Sequence, residues 1–208
     1  HKLPLIAGAA LATKGQTHCL TQRIVYLLTD RCINPSKILA ITFTRSAAFE
    51  LRKQVSEAIQ NNGGRTPRIS TLHSFSLRQL LWNAPISDLP YPIRIADDYE
   101  EREIIIEDLK LSLGYKVKKV RKLFAALSAD WQTLKPDQSG WESQFPDPQF
   151  IDAWREHRKI YGYTLRAELV YQLKKALELN PNFQLEGPPR YLLVDEYQDL
   201  NPCDLAVV

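Results

Sequence analysis

Methionine is absent from the sequence altogether, so His1 is not expected to be a native start, and the chain reads as part of a longer protein. The three cysteines, Cys19, Cys32 and Cys203, are far apart and odd in number. They match no metal-ligand spacing and read as reduced, cytosolic thiols, which implies a cytoplasmic protein. No apolar run approaches the ~20 residues that a membrane-spanning helix needs, so no membrane partner is expected. A large charge excess is missing too: 27 basic against 24 acidic residues leave a net charge of +3. That permits nucleic-acid binding without demanding it, and any basic surface must be local. Internal repeats and low-complexity tracts are also absent. What is present is an ordinary globular composition, 44% hydrophobic and 25% charged over 208 residues. It suffices for one α/β domain with a sizeable insertion, or for two small domains.

The most informative stretch is near the end, Arg190-Tyr191-Leu192-Leu193-Val194-Asp195-Glu196-Tyr197-Gln198-Asp199-Leu200-Asn201-Pro202. A short run of β-formers without alternation fits a buried parallel strand. It stops at two adjacent acids, and in open α/β sheets ligands bind beyond the carboxyl ends of the strands. One carboxylate there can hold Mg²⁺ through water while its neighbour polarises a water at a γ-phosphate. The plainer alternative is a strand followed by an acidic helix start, which the helix dipole favours in any case.

Upstream, Leu3 to Ala7 reads as a strand, followed by a small-residue loop and an amphipathic helix from about Thr17 to Leu28. Lys2 with the apolar Leu3–Ala12 also has the outline of a secretory signal peptide, although the residues that follow continue an α/β pattern. Lys37 to Phe43 predicts a second buried strand. Thr44 predicts the N-cap of a helix to about Ala58, which Gly63-Gly64 would close. Arg68 to Thr71 predicts a third strand, leading into a helix over His73 to Trp82. This alternation implies a parallel sheet. Pro85, Pro90 and Pro92 then mark a linker, after which the helical period takes over. Asp97-Asp98 should cap a helix ending at Gly114. Further helices are expected over Val117 to Leu134, Gln149 to Tyr161 and Leu165 to Leu179, with a loop over Pro136 to Pro148. Gly187-Pro188-Pro189 returns the chain to the sheet.

Leu-Leu-Val-Asp-Glu-Tyr-Gln-Asp resembles motif II, the Walker B element, of UvrD/Rep/PcrA-type superfamily 1 DNA helicases. Ile41-Thr42-Phe43-Thr44-Arg45-Ser46-Ala47-Ala48 resembles the family's motif Ia, with Arg45-Ser46 in place of Asn-Lys. Ile69-Ser70-Thr71-Leu72-His73-Ser74-Phe75 resembles motif Ib. The resemblance covers essentially the whole chain. It implies an α/β fold: a RecA-like parallel sheet (a P-loop NTPase lobe) over residues 1–84 plus 187–208, with an inserted all-helical subdomain over 85–186. It also implies ATP and Mg²⁺ as cofactors and DNA, single-stranded and duplex, as partner. The expected activity is 3′→5′ helicase action driven by ATP hydrolysis. By carry-over, Asp195 is the Mg²⁺-side acid, Glu196 the general base, and Gln198 and Asp199 link the site to the rest of the motor. Phe43 would offer a π-face to an unstacked base. Thr44 and Arg45 would meet the DNA backbone beside it, with His73 and Ser74.

The phosphate loop of the family, of the type Ala-Gly-Ala-Gly-Ser-Gly-Lys-Thr, is altered here to Ala7-Gly8-Ala9-Ala10-Leu11-Ala12-Thr13-Lys14-Gly15-Gln16-Thr17. Counting forward from Gly8 puts Lys14 at the lysine. Counting back from the helix that starts near His18 puts Gly15-Gln16-Thr17 at Gly-Lys-Thr. The second register is favoured, because the helix start fixes where phosphates sit. Thr17 then remains as a Mg²⁺ ligand with Asp195, while a neutral Gln16 replaces the lysine. Lys14 would have to reach in from an enlarged loop. Ala10 and Ala12 replace glycines that let the backbone approach phosphate. The second RecA-like lobe, with its arginine finger, is a partner this chain does not contain. The competing expectation is a helicase-like DNA-binding module that has lost ATP chemistry. The basic run Lys116, Lys118, Lys119, Arg121 and Lys122 reads either as a solvated helix face or as a phosphate-contacting one.

Overall fold

The computed structural model describes residues 5–7, 15–59, 65–85, 87 and 89–208. Its sheet is all-parallel and four-stranded, in the order β1-β4-β2-β3. The strands are β1 Leu5–Ala7, β2 Ile38–Thr42, β3 Arg68–Thr71 and β4 Tyr191–Val194. β4, the last strand in the chain, therefore runs between the first and the second.

All five residues of β2 are buried, as expected of a parallel strand covered on both faces. On one face Ile38, Ala40, Ile69 and Leu193 pack with Leu20, Ile24 and Leu27 of α1 (Gly15–Thr29) and with Ala48, Leu51, Val55 and Ile59 of α2 (Arg45–Ile59). The i, i+4, i+7 spacing in α1 and the i, i+3, i+7, i+11 spacing in α2 supply that apolar stripe. The alternate strand residues Leu39, Ile41, Leu192 and Val194 are buried on the other face. Thr21 Oγ1 donates to Gln54 Oε1 (3.0 Å), tying α1 to α2.

Contacts divide the chain into two compact units, residues 1–75 with 185–200 and 208, and residues 76–184 with 201–207. α3 (Leu72–Trp82) begins in the first and continues in the second. The second unit is helical: α4 (Ile106–Leu113), α5 (Val117–Gln132), α6 (Trp141–Gln144), α7 (Pro148–Tyr161), α8 (Leu169–Leu179) and α9 (Pro202–Val207), the last packed on α8 and α5. Its core is aromatic, with Phe124 edge-on to Phe150 (5.0 Å between centroids) and Trp131 against Trp154 (5.6 Å). Within it Glu168 is 0% exposed. Its carboxylate accepts from Leu165 N (2.7 Å) and Gln172 Nε2 (3.0 Å) and faces Arg158 Nη2 at 3.1 Å. Burial pushes its pKa up, and Arg158 opposes that shift.

The helical unit departs from expectation in three places. The predicted loop over 136–148 holds a 3₁₀ turn (Lys135–Asp137) and α6. Trp141 is buried there and its Nε1 donates to Asp130 Oδ2 (2.7 Å), an anchor that local periodicity does not reveal. The helix capped by Asp97, whose Oδ1 accepts from Glu100 N (2.7 Å), passes through a π-helical turn over Glu100–Ile105 before α4. The segment expected to be helical from Leu165 starts instead with a 3₁₀ turn over Arg166–Glu168. Gly63-Gly64 lie outside the described residues.

Candidate functional site

The first unit gathers the motif residues along one edge of its sheet. Val194 pairs with Ala7 on one side and Ile41 on the other, and Asp195 N extends the ladder by donating to Ile41 O (2.9 Å). Asp195 therefore stands at the carboxyl edge between two exits. One is the end of β1, from which residues 8–14 lead to α1, and the other is the end of β2, which leads to α2. The next residue, Glu196, is left-handed (φ 50°, ψ 45°). For a residue with a Cβ this costs roughly 1–2 kcal/mol, and such strain concentrates at functional positions. The turn is closed by Asp199 N donating to Glu196 O (2.9 Å), and the Gln198 amide donates to the Glu196 carboxylate.

The Glu196 carboxylate disfavours the charge on Asp195. Burial raises the Asp195 pKa, and Glu196 raises it further. Among the described residues no basic side chain forms an ion pair with either. A pair of adjacent acids in this state suits a hard divalent cation, whose charge would reverse the shift. No cluster of three or more His, Cys, Asp or Glu side chains able to hold a metal occurs among the described residues.

Gly8 and Lys14 lie outside the described residues. Gly15, Gln16 and Thr17 open α1, with exposed His18 following them. At the end of β2, Phe43 is 44% exposed. Thr44 Oγ1 accepts from Ala47 N (3.0 Å), capping α2, and Arg45 in its first turn is exposed. At the end of β3, His73 and Ser74 are exposed at the start of α3. Thr42 and Thr71 are register partners, so the two corners are neighbours. Sequence reasoning passed over these two threonines. Buried Thr42 donates to Thr44 O (3.1 Å), and Thr71 Oγ1 accepts from Ser74 N (3.2 Å), so each hydroxyl holds the corner that presents the exposed residues. A hydroxyl residue closing each strand, with another two or three positions later, was the available signal. Asp195, Glu196, Phe43, Thr44, Arg45, His73 and Ser74 thus share one sheet edge. Gln198 is exposed in the turn beside them.

Compared with known protein families, residues 3–208 match the UvrD/REP helicase N-terminal domain. The chain belongs to this family. The fold described above is accordingly a RecA-like lobe with a helical insertion, and the apolar Leu3–Ala12 stretch falls inside the matched region. Similar UvrD/REP proteins include the probable DNA helicase II homolog of Mycoplasma capricolum, 38% identical over 98% of this chain and 29% of the relative. The ATP-dependent DNA helicase PcrA of Leuconostoc citreum is 27% identical over 99% of this chain and 28% of its own length. The ATP-dependent DNA helicase UvrD1 of Mycobacterium leprae is 29% identical, over 99% and 28% respectively. The chain therefore spans less than a third of these relatives. No helix among the described residues is long and apolar enough to cross a membrane.

Proposed function

We propose that this chain is the first motor lobe of a cytoplasmic, ATP-dependent 3′→5′ DNA helicase. It would bind ATP·Mg²⁺ at the β1–β4 edge and single-stranded DNA at the β2–β3 edge. The observation that carries the reading is the position of Asp195-Glu196 between the exit of β1 and the corner that presents Phe43, Thr44 and Arg45. Asp195, half-buried and tied to the sheet, takes the metal side with Thr17. Glu196, held by the Gln198 amide, takes the proton of the attacking water. Bound ATP·Mg²⁺ supplies the anhydride whose hydrolysis powers movement. Phe43 stacks a base, while Thr44, Arg45, His73 and Ser74 meet the backbone. The start of α1 at Gly15 supports the register that sets Gly15-Gln16-Thr17 against the phosphates, with Gly8 at the loop entry and Lys14 and His18 at its flanks. A second RecA-like lobe is the partner that completes the motor.

The altered loop favours a second reading, a DNA-binding lobe without ATP chemistry, because Gln16 stands at the lysine position and Ala10 and Ala12 replace glycines. Calorimetric titration of ATP·Mg²⁺ into the chain and into Gln16→Lys separates the two. The motor reading expects weak binding that tightens at least about tenfold in the variant, since a displaced charge forfeits most of its phosphate interaction. No heat in either form leaves only the DNA-binding lobe.

A further inference from the structure

On α2 the residues Arg45, Phe49 and Arg52 follow an i, i+4, i+7 spacing and share one side of the helix. Phe49 is 65% exposed there, in a helix whose apolar needs are already met by Ala48, Leu51, Val55 and Ile59. Arg52 fixes which way the side faces, because its Nη2 donates to Ile69 O (2.6 Å) in β3. Four guanidinium N–H groups of Arg52 are left for other acceptors. The acids of α2, Glu50 and Glu57, fall on another side by the same periodicity. Among the described residues, neither Arg45 nor Arg52 forms an ion pair. The stripe thus starts at the corner that presents Phe43 and Thr44 and runs along the β3 side of α2, the strand that leads to His73 and Ser74.

We propose that Arg45, Phe49 and Arg52 form a further single-stranded nucleic-acid subsite, with Phe49 stacking one base and the two arginines holding the phosphates on either side. An isolated exposed phenylalanine needs no explanation of its own. A phenylalanine between two unpaired arginines on one helix face is the arrangement that binds unstacked strands, where aromatic faces take bases and cations track the backbone. The span from Arg45 to Arg52 is about 10 Å along the helix, the length of about three stacked nucleotides. The charge of the stripe, positive without an acid, selects a polyanion over an apolar protein surface.

This inference rests on the DNA-binding reading of the β2–β3 edge, and the test separates the two. Binding of a fluorescein-labelled oligo-dT to the 208-residue chain is followed by anisotropy for the unmodified chain, Phe43→Ala, Phe49→Ala, Phe49→Leu and Phe49→Tyr, with melting curves to show that all fold. The expected result is at least about fivefold weaker binding for Phe49→Ala and Phe49→Leu, with Phe49→Tyr near the unmodified chain, because only tyrosine keeps a π-face. Arg52→Gln should also lower the salt dependence, by about 0.7 in log–log slope. If the unmodified chain binds and Phe43→Ala weakens it while Phe49→Ala and Phe49→Leu do not, the subsite is overturned and the edge reading stands. If Leu binds as well as Tyr, Phe49 makes apolar contact only and the stacking assignment fails. If the unmodified chain does not bind at all, both readings fall together.

Discussion

Asp195 carries its charge at a cost. Its pKa is raised by burial and by Glu196, so the folded chain holds the proton more tightly than the unfolded one. The stabilising contribution is therefore complete below the unfolded pKa and is lost as pH rises through the folded value. At neutral pH without divalent cation, Asp195→Asn should stabilise the fold slightly, by under about 1 kcal/mol because the group is only half-buried, and so raise the thermal midpoint. The gain should vanish on acidification below the carboxylate range, as a melting series in pH would show. Substitution at Glu168 has the opposite effect on stability. That residue is fully enclosed and is the ion-pair partner of the largely buried Arg158, so Glu168→Ala leaves that guanidinium without its counter-charge and should lose about 3–5 kcal/mol in urea unfolding. The place of Asp195 at the carboxyl end of β4 was legible because two acids directly after an apolar run end the strand pattern. The left-handed Glu196 was not legible, since nothing in Glu-Tyr-Gln-Asp demands a positive φ.

Strands β2, β3 and β4 fall within one residue of their predicted limits at each end, because short runs of β-formers bounded by turn residues or charges leave little ambiguity. The helices starting at Thr44 and Asp97 were legible from their caps. Position 147 shows what was missed. Sequence placed Pro148 in a loop, yet Asp147 caps α7 by accepting from Phe150 N (3.3 Å) while pairing with Lys119 of α5 (2.7 Å). Burial raises the Asp147 pKa, but hydrogen bonds from Lys119, Tyr115 and Phe150 outweigh it and leave it lowered. Its stabilisation is thus present above the unfolded carboxylate pKa and disappears as pH falls through the folded one. Asp147→Ala should cost about 1 kcal/mol at pH 7, as lost caps do, with the difference shrinking in acid. Equal urea midpoints for both forms at pH 7 would remove the cap from the account.

For the whole chain, the resemblance to helicases could be read because three motifs survive at strand ends, where one or two residues carry the chemistry. The phosphate loop could not be settled by pattern, because its glycines and lysine are replaced and two registers compete. The 208-residue chain spans less than a third of its helicase relatives, so by itself it should show no strand displacement with ATP and a forked duplex, even where it binds DNA. Unwinding above background would contradict that expectation. The placing of β4 between β1 and β2 has a consequence for biosynthesis. Among the described residues β1 hydrogen-bonds only to β4, which is made more than 180 residues later. On the ribosome the first strand must wait without that partner until β4 has been translated, so nascent-chain protection by chaperones should matter most for this segment.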